Sequence, residues 1–110
     1  MDKSQAWIED RASTALHYLA DTDEEDASLR MEMVKAEQRY KQTIDACFIS
    51  EEGNIEQRKA SARTSTHSME AFNAFAEATR SFHEVHNKRE SQRQALEWCR
   101  SLNANRRQGQ

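Results

Sequence analysis

The sequence predicts an all-α protein, a long antiparallel helical hairpin with coiled-coil-like spacing and a shorter N-terminal helix. Three observations support this fold. The 110 residues include no proline and only two glycines, so few residues interrupt a helix. Between residues 54 and 104 the apolar positions recur at steps of three and four, which is the spacing of one helix face. Gly53, the only glycine away from the C-terminus, supplies the backbone freedom that a chain reversal needs.

The first two helices are predicted on either side of an acidic segment. Helix one covers about residues 3–20, with Ser4 as its N-cap. The acidic segment, residues 21–26, ends this pattern and caps helix two at about residues 24–49, because acidic side chains stabilise the N-terminal end of a helix.

The third helix is the longest and is predicted at about residues 55–104. A turn at residues 50–54 precedes it, Asn54 caps it, and a flexible tail follows at residues 105–110. Since helix two is too short to cover all of helix three, its second half must pack against helix one or against a second subunit.

The composition indicates a thin apolar seam and not a broad core. Hydrophobic residues make up 36% of the chain and charged residues 32%, with a net charge of −3. A small chain with such a seam buries little apolar area on its own. We therefore expect one helical domain, residues 1–110, that assembles into an oligomeric helical bundle.

Charge is unevenly distributed along the chain. Residues 1–54 carry 13 acidic and 6 basic side chains, whereas residues 55–110 carry 6 acidic and 10 basic ones. The two halves either neutralise each other across the hairpin, or the second half meets a polyanion. Glutamates interrupt the basic residues, as they do on a solvated charged helix face. The candidate DNA-binding residues are Arg58, Lys59, Arg63, Lys88, Arg89, Arg93, Arg100, Arg106 and Arg107.

The second half of helix three is also its apolar half. This segment holds aromatic and aliphatic side chains at the seam spacing, so it is the predicted surface for self-association or for a partner protein. The residues of this predicted interface are Phe72, Phe75, Phe82, Val85, Leu96, Trp98 and Leu102.

No pattern in the sequence indicates catalysis, a metal site or a cofactor. The chain has no glycine-rich phosphate loop and no nucleophile motif, so we expect a protein that is not an enzyme. Cys47 and Cys99 lie within apolar stripes, which is typical of buried free thiols in a reducing compartment. The N-terminus lacks the features of a signal peptide and no segment suits a membrane span, so we expect a cytoplasmic protein.

Two segments of the chain carry a further pattern: residues 36–62 (AEQRYKQTIDACFISEEGNIEQRKASA) and residues 96–107 (LEWCRSLNANRR). They resemble small all-helical proteins that tailed phages and prophages encode among their recombination genes. The resemblance implies an oligomer in a bacterial host cell that binds single-stranded DNA and assists a recombinase. The matching positions are Tyr40, Glu52, Gly53, Ile55, Arg58, Lys59, Ala60, Trp98, Arg100, Ser101, Leu102, Ala104 and Arg106.

Two functions remain open at this point. The first is a phage recombination accessory protein that contacts single-stranded DNA through helix three and a partner protein through its acidic half. The second is a helical adaptor or inhibitor that binds a host or phage protein through the Phe72–Phe82 surface and does not contact DNA.

Overall fold

The computed structural model describes residues 4–108 and confirms the all-α prediction. Its helices are α1 (Gln5–Ser50), α2 (Ile55–Thr64) and α3 (Thr66–Gln108), and no strand occurs within these residues. Packing contacts divide the chain into two compact units. The turn unit comprises residues 27–83, and the terminal unit comprises the described parts of residues 1–26 and 84–110.

Helix α1 runs without interruption through the acidic segment, so the predicted break at residues 21–26 is wrong. Its start is as predicted, because the Ser4 hydroxyl accepts a hydrogen bond from the Trp7 amide at 3.1 Å. In the acidic segment, Thr22 and Asp26 point inward while their acidic neighbours are exposed to water. Residues 21–26 include neither glycine nor proline, so nothing stops the backbone hydrogen bonding of the helix.

The turn between α1 and α2 forms where the sequence predicts it. Gly53 has a φ of +113°, and a Cβ atom at this position would lie 2.6 Å from Oε1 of Gln57. Asn54 and Gln57 form a capping box: the Asn54 side chain accepts from the Gln57 amide at 2.9 Å, and the Gln57 side chain accepts from the Asn54 amide at 3.1 Å. Local side chains therefore determine this reversal.

The predicted third helix is two helices, separated at Ser65. The backbone of Ser65 is extended, with φ −62° and ψ 150°, which ends α2. Its hydroxyl accepts from the Ser68 amide at 3.1 Å and so caps α3, while the Thr64 hydroxyl bonds back to the Ala60 carbonyl at 2.9 Å. Serine and threonine offer the backbone such alternatives to helical hydrogen bonds, which explains the break.

Helix α3 extends beyond the predicted end at residue 104. Residues 105–108 continue the helix to Gln108, where a flexible tail was expected, and residues 109–110 lie outside the described residues. Arg106 and Arg107 fall in the last turn of α3. Their positive charge stabilises the C-terminal end of the helix dipole, which favours this extension.

The turn unit packs the second part of α1 against α2 and the first part of α3. Its buried side chains include Ala36, Ala62 and Phe82. The Tyr40 ring lies 5.5 Å from the Phe72 ring and 6.3 Å from the Phe75 ring, measured between centroids. Small buried residues keep the helices close, and aromatic contacts contribute beyond the area that they bury.

The terminal unit packs the first part of α1 against the last part of α3. Ile8, Ala15 and Cys99 are buried there, and the Trp7 and Trp98 rings meet edge to face at 5.5 Å. The sequence left open whether the last part of the long helix packs against helix one or against a second subunit. Within the terminal unit, the first part of α1 packs against it. No helix among residues 4–108 is long and apolar enough to cross a bilayer.

The capping box predicts a measurable loss of stability in Asn54→Ala. Removing a side-chain cap leaves helix amides without an acceptor and costs about 1 kcal/mol. We expect a lower midpoint in urea unfolding followed by circular dichroism. Asn87→Ala, at an exposed position inside α3, is the matched control and should not lower the midpoint, because alanine favours a helix more than asparagine does. Equal midpoints for Asn54→Ala and the wild type would contradict this account of the turn.

Candidate nucleic-acid interface

Helix α2 presents three of the predicted basic residues next to aromatic side chains of the turn unit. Arg58 is half-buried: its Nε donates to the Phe48 carbonyl at 3.2 Å, and its guanidinium carbon lies 4.4 Å from the centroid of the Phe48 ring. Lys59 and Arg63 are exposed. The interaction with Phe48 holds α2 against the end of α1, and it leaves the other two charges facing water.

Arg63 lies between two shallow grooves of this surface. A groove of about 290 Å³ is lined by Phe48, Lys59 and Arg63, together with Ile44, Asp45 and Ala62. A second groove of about 280 Å³ is lined by Tyr40, Phe72 and Arg63, together with Ser68, Met69 and Asn73. We call the residues that line these two grooves the aromatic–basic surface. Asp45 is its single acidic residue.

The geometry of this surface suits a flexible polyanion with planar groups. Phe72 is 50% exposed, so part of its ring is open to a ligand. Aromatic faces stack on nucleic-acid bases, and exposed basic side chains contact phosphates. Arg63 lines both grooves, so a basic side chain lies next to aromatic rings in each of them.

The basic residues of the terminal unit are in a different electrostatic situation. Arg93 pairs with Glu90, and Arg100 pairs with Glu97 at 2.7 Å, each within one turn of α3. Lys88, Arg106 and Arg107 are exposed. Because adjacent glutamates offset Arg93 and Arg100, these residues attract phosphate less than their number alone indicates.

Arg89, a predicted DNA contact, is a structural residue of the terminal unit. It is only 4% exposed, and one of its terminal nitrogens donates to the Leu19 carbonyl at 2.7 Å and to the Thr22 hydroxyl at 2.8 Å. The other donates to Asp23 at 3.0 Å. This guanidinium is therefore not available to phosphate, and the prediction for it is wrong.

Asp26 and His86 also belong to the cluster of polar side chains around Arg89. The Asp26 carboxylate lies 3.9 Å from Nε of Arg89 and 3.6 Å from Nδ1 of His86. We call Thr22, Asp23, Asp26, His86 and Arg89 the polar layer. A buried guanidinium is strongly destabilising without acceptors, so this layer explains why α1 carries acidic residues here.

The predicted interface residues differ widely in exposure. Phe82 belongs to the core of the turn unit, with 6% of its surface exposed and the Arg30 guanidinium 5.1 Å from its ring centroid. Trp98 is 47% exposed. Phe75, Val85, Leu96 and Leu102 are half-buried within their units. Among these residues, Phe72 and Trp98 therefore offer most of the open apolar surface.

Sequence reasoning missed two features of these sites. Phe48 was not included, although it lies ten residues before Arg58 across the predicted turn, which is a spacing that brings side chains together. The polar layer was also missed. Arg89 falls on the apolar stripe of α3. Thr22 and Asp26 continue the apolar stripe of helix one if that helix runs past residue 20. This spacing could therefore have indicated a buried ion pair between the two helices.

The polar layer predicts that Arg89→Ala strongly destabilises the chain. Removing one partner of a buried ion pair leaves the other without compensation and typically costs about 3–5 kcal/mol. We expect a large drop in the thermal midpoint. The double variant Arg89→Met with Asp26→Leu should recover most of this loss, because it removes both buried charges. A midpoint for Arg89→Ala equal to that of Arg93→Ala would contradict the assigned role.

Comparisons with protein-family models, with curated proteins and with solved structures found no match to this chain.

Proposed function

We propose that this chain is a non-enzymatic phage recombination accessory protein that binds single-stranded DNA through the aromatic–basic surface. The observation that carries the proposal is the position of Arg63 between two grooves with aromatic walls. The recombination role and the bacterial host are supported by the resemblance of residues 36–62 and 96–107. Self-association and a protein partner, such as a recombinase, belong to the same proposal.

Single-stranded DNA fits this surface better than a duplex does. Stacking on Tyr40, Phe48 or Phe72 requires bases that are not paired inside a double helix. Lys59 and Arg63 then neutralise the phosphates between the stacked bases. Such binding tolerates many sequences, because every base has a face that can stack.

Electrostatics should make this binding strongly dependent on salt. Each phosphate contact releases a counterion, so the logarithm of affinity falls linearly with the logarithm of salt concentration. The chain carries a net charge of −3, so its overall charge does not attract DNA. Binding must therefore come from local positive charge.

The proposal predicts that Lys59→Ala with Arg63→Ala weakens binding to a labelled oligo-dT strand about tenfold at low salt. Fluorescence anisotropy at several salt concentrations is the measurement. Loss of two phosphate contacts should also reduce the salt slope by about 1.4 for a single strand.

Arg93→Ala with Arg100→Ala is the matched control, because it changes the net charge equally and removes residues already paired with Glu90 and Glu97. Its effect should be clearly smaller. Equal losses in the two double variants, or no binding by the wild type, would count against the proposed surface.

A helical adaptor that binds a protein is the second candidate, and the exposed apolar side chains favour it. Phe72 and Met69 both lie open beside Arg63. If the protein is an adaptor, the wild type retains a defined protein from infected cells and does not bind oligo-dT. The double variant Phe72→Ser with Met69→Ser does not retain that protein. Recovery of the same proteins by both forms, identified by mass spectrometry, would exclude this surface as the adaptor site.

A further inference from the structure

The turn unit has a larger groove between α1 and α3 that the proposed DNA contacts do not use. It has a volume of about 710 Å³, and its lining does not include Lys59, Arg63 or any phenylalanine, tyrosine or tryptophan. The lining residues are Ala36, Arg39, Gln42, Thr43, Ala46, Cys47, Ser50, His67, Glu70, Ala71 and Ala74. We call it the interhelical groove.

Short side chains make this groove accessible to another helix. Four of its lining residues are alanines, and a helix approaches closely where no long side chain intervenes. Ile49 is 75% exposed and lies one helical turn beyond Ala46, on the same side of α1. An apolar side chain with this exposure beside an open groove favours a protein occupant.

Charge at the rims of the groove is self-complementary. Arg39 lies on the α1 side and Glu70 on the α3 side, at the level where the neighbouring residues Tyr40 and Phe72 touch. Within residues 4–108 neither Arg39 nor Glu70 forms an ion pair. A two-fold axis parallel to the helices would place Arg39 of each copy opposite Glu70 of the other.

From these observations we infer that a second copy of this chain occupies the interhelical groove, so that the two turn units form an antiparallel four-helix bundle. The inference gives a surface to the self-association within the proposed function, and it does not depend on DNA binding. The aromatic–basic surface and the interhelical groove share no lining residue. A dimer can therefore present two DNA-binding surfaces at once.

The test is the mass of the full chain in light scattering after size exclusion, with no DNA present. The wild type should have twice the mass of the 12.8 kDa chain. Ala74→Trp fills the groove and should give a monomer, whereas Ala76→Trp, at an exposed position of α3 outside the groove, should remain a dimer. A monomeric wild type, or a dimeric Ala74→Trp, would overturn the inference.

Charge exchange tests the two-fold arrangement directly. Arg39→Glu and Glu70→Arg should each weaken the homodimer about tenfold or more, since like charges then face each other. An equimolar mixture of the two variants should form a heterodimer, because both contacts become attractive again. Two weakened variants that do not combine would refute this geometry.

Failure of the dimer and failure of DNA binding are separable. Anisotropy with oligo-dT, performed on Ala74→Trp, reports the aromatic–basic surface in a chain that does not self-associate. A monomeric wild type that binds the strand would refute only the dimer, and a dimeric wild type that does not bind the strand would refute only the proposed DNA contact.

Discussion

The buried guanidinium of Arg89 is the interaction on which the terminal unit depends. A seam of alanine, isoleucine and cysteine is thin, and apolar contacts alone allow neighbouring helix registers with similar energies. In the observed register Arg89 donates to the Leu19 carbonyl, the Thr22 hydroxyl and the Asp23 carboxylate. A shift by one turn would break these three hydrogen bonds of a buried charge, which is more costly than a small loss of apolar contact.

The same polar layer explains the continuity of α1. An acidic segment at a helix start is stabilised by the helix dipole, and within a helix it must be compensated in another way. Thr22 and Asp26 face inward toward Arg89 and His86, while the other acidic side chains remain solvated. The opposite charges of the two halves of the chain therefore meet in part within the terminal unit itself.

The turn unit combines small buried residues with large exposed ones. Ala36 and Ala62 are buried, whereas Phe72 and Ile49 are open to water. Apolar side chains that the unit does not cover itself are available to a ligand or a second chain. The unit has two such areas: the aromatic–basic surface, with aromatic rings and positive charge, and the interhelical groove, with short side chains and both signs of charge.

Much of the fold and part of the site were predictable from local chemistry. The helical class follows from the apolar spacing, and the reversal follows from Gly53 and Asn54, whose effects act within a few residues. The exposure of Lys59 and Arg63 follows from their position on a polar helix. These properties need no information about distant parts of the chain, so the sequence by itself determines them.

The tertiary structure decided the remaining features, because each depends on residues far apart in the chain. Arg89 looked like a phosphate contact until α1 supplied its acceptors about 70 residues away. The acidic segment had the composition of a helix boundary, and only the folded chain shows Thr22 and Asp26 turned toward α3 within one continuous helix. The folded arrangement also buries Arg89 and so removes it from any ligand, whereas Arg93 and Arg100 pair with glutamates one turn away on the same helix.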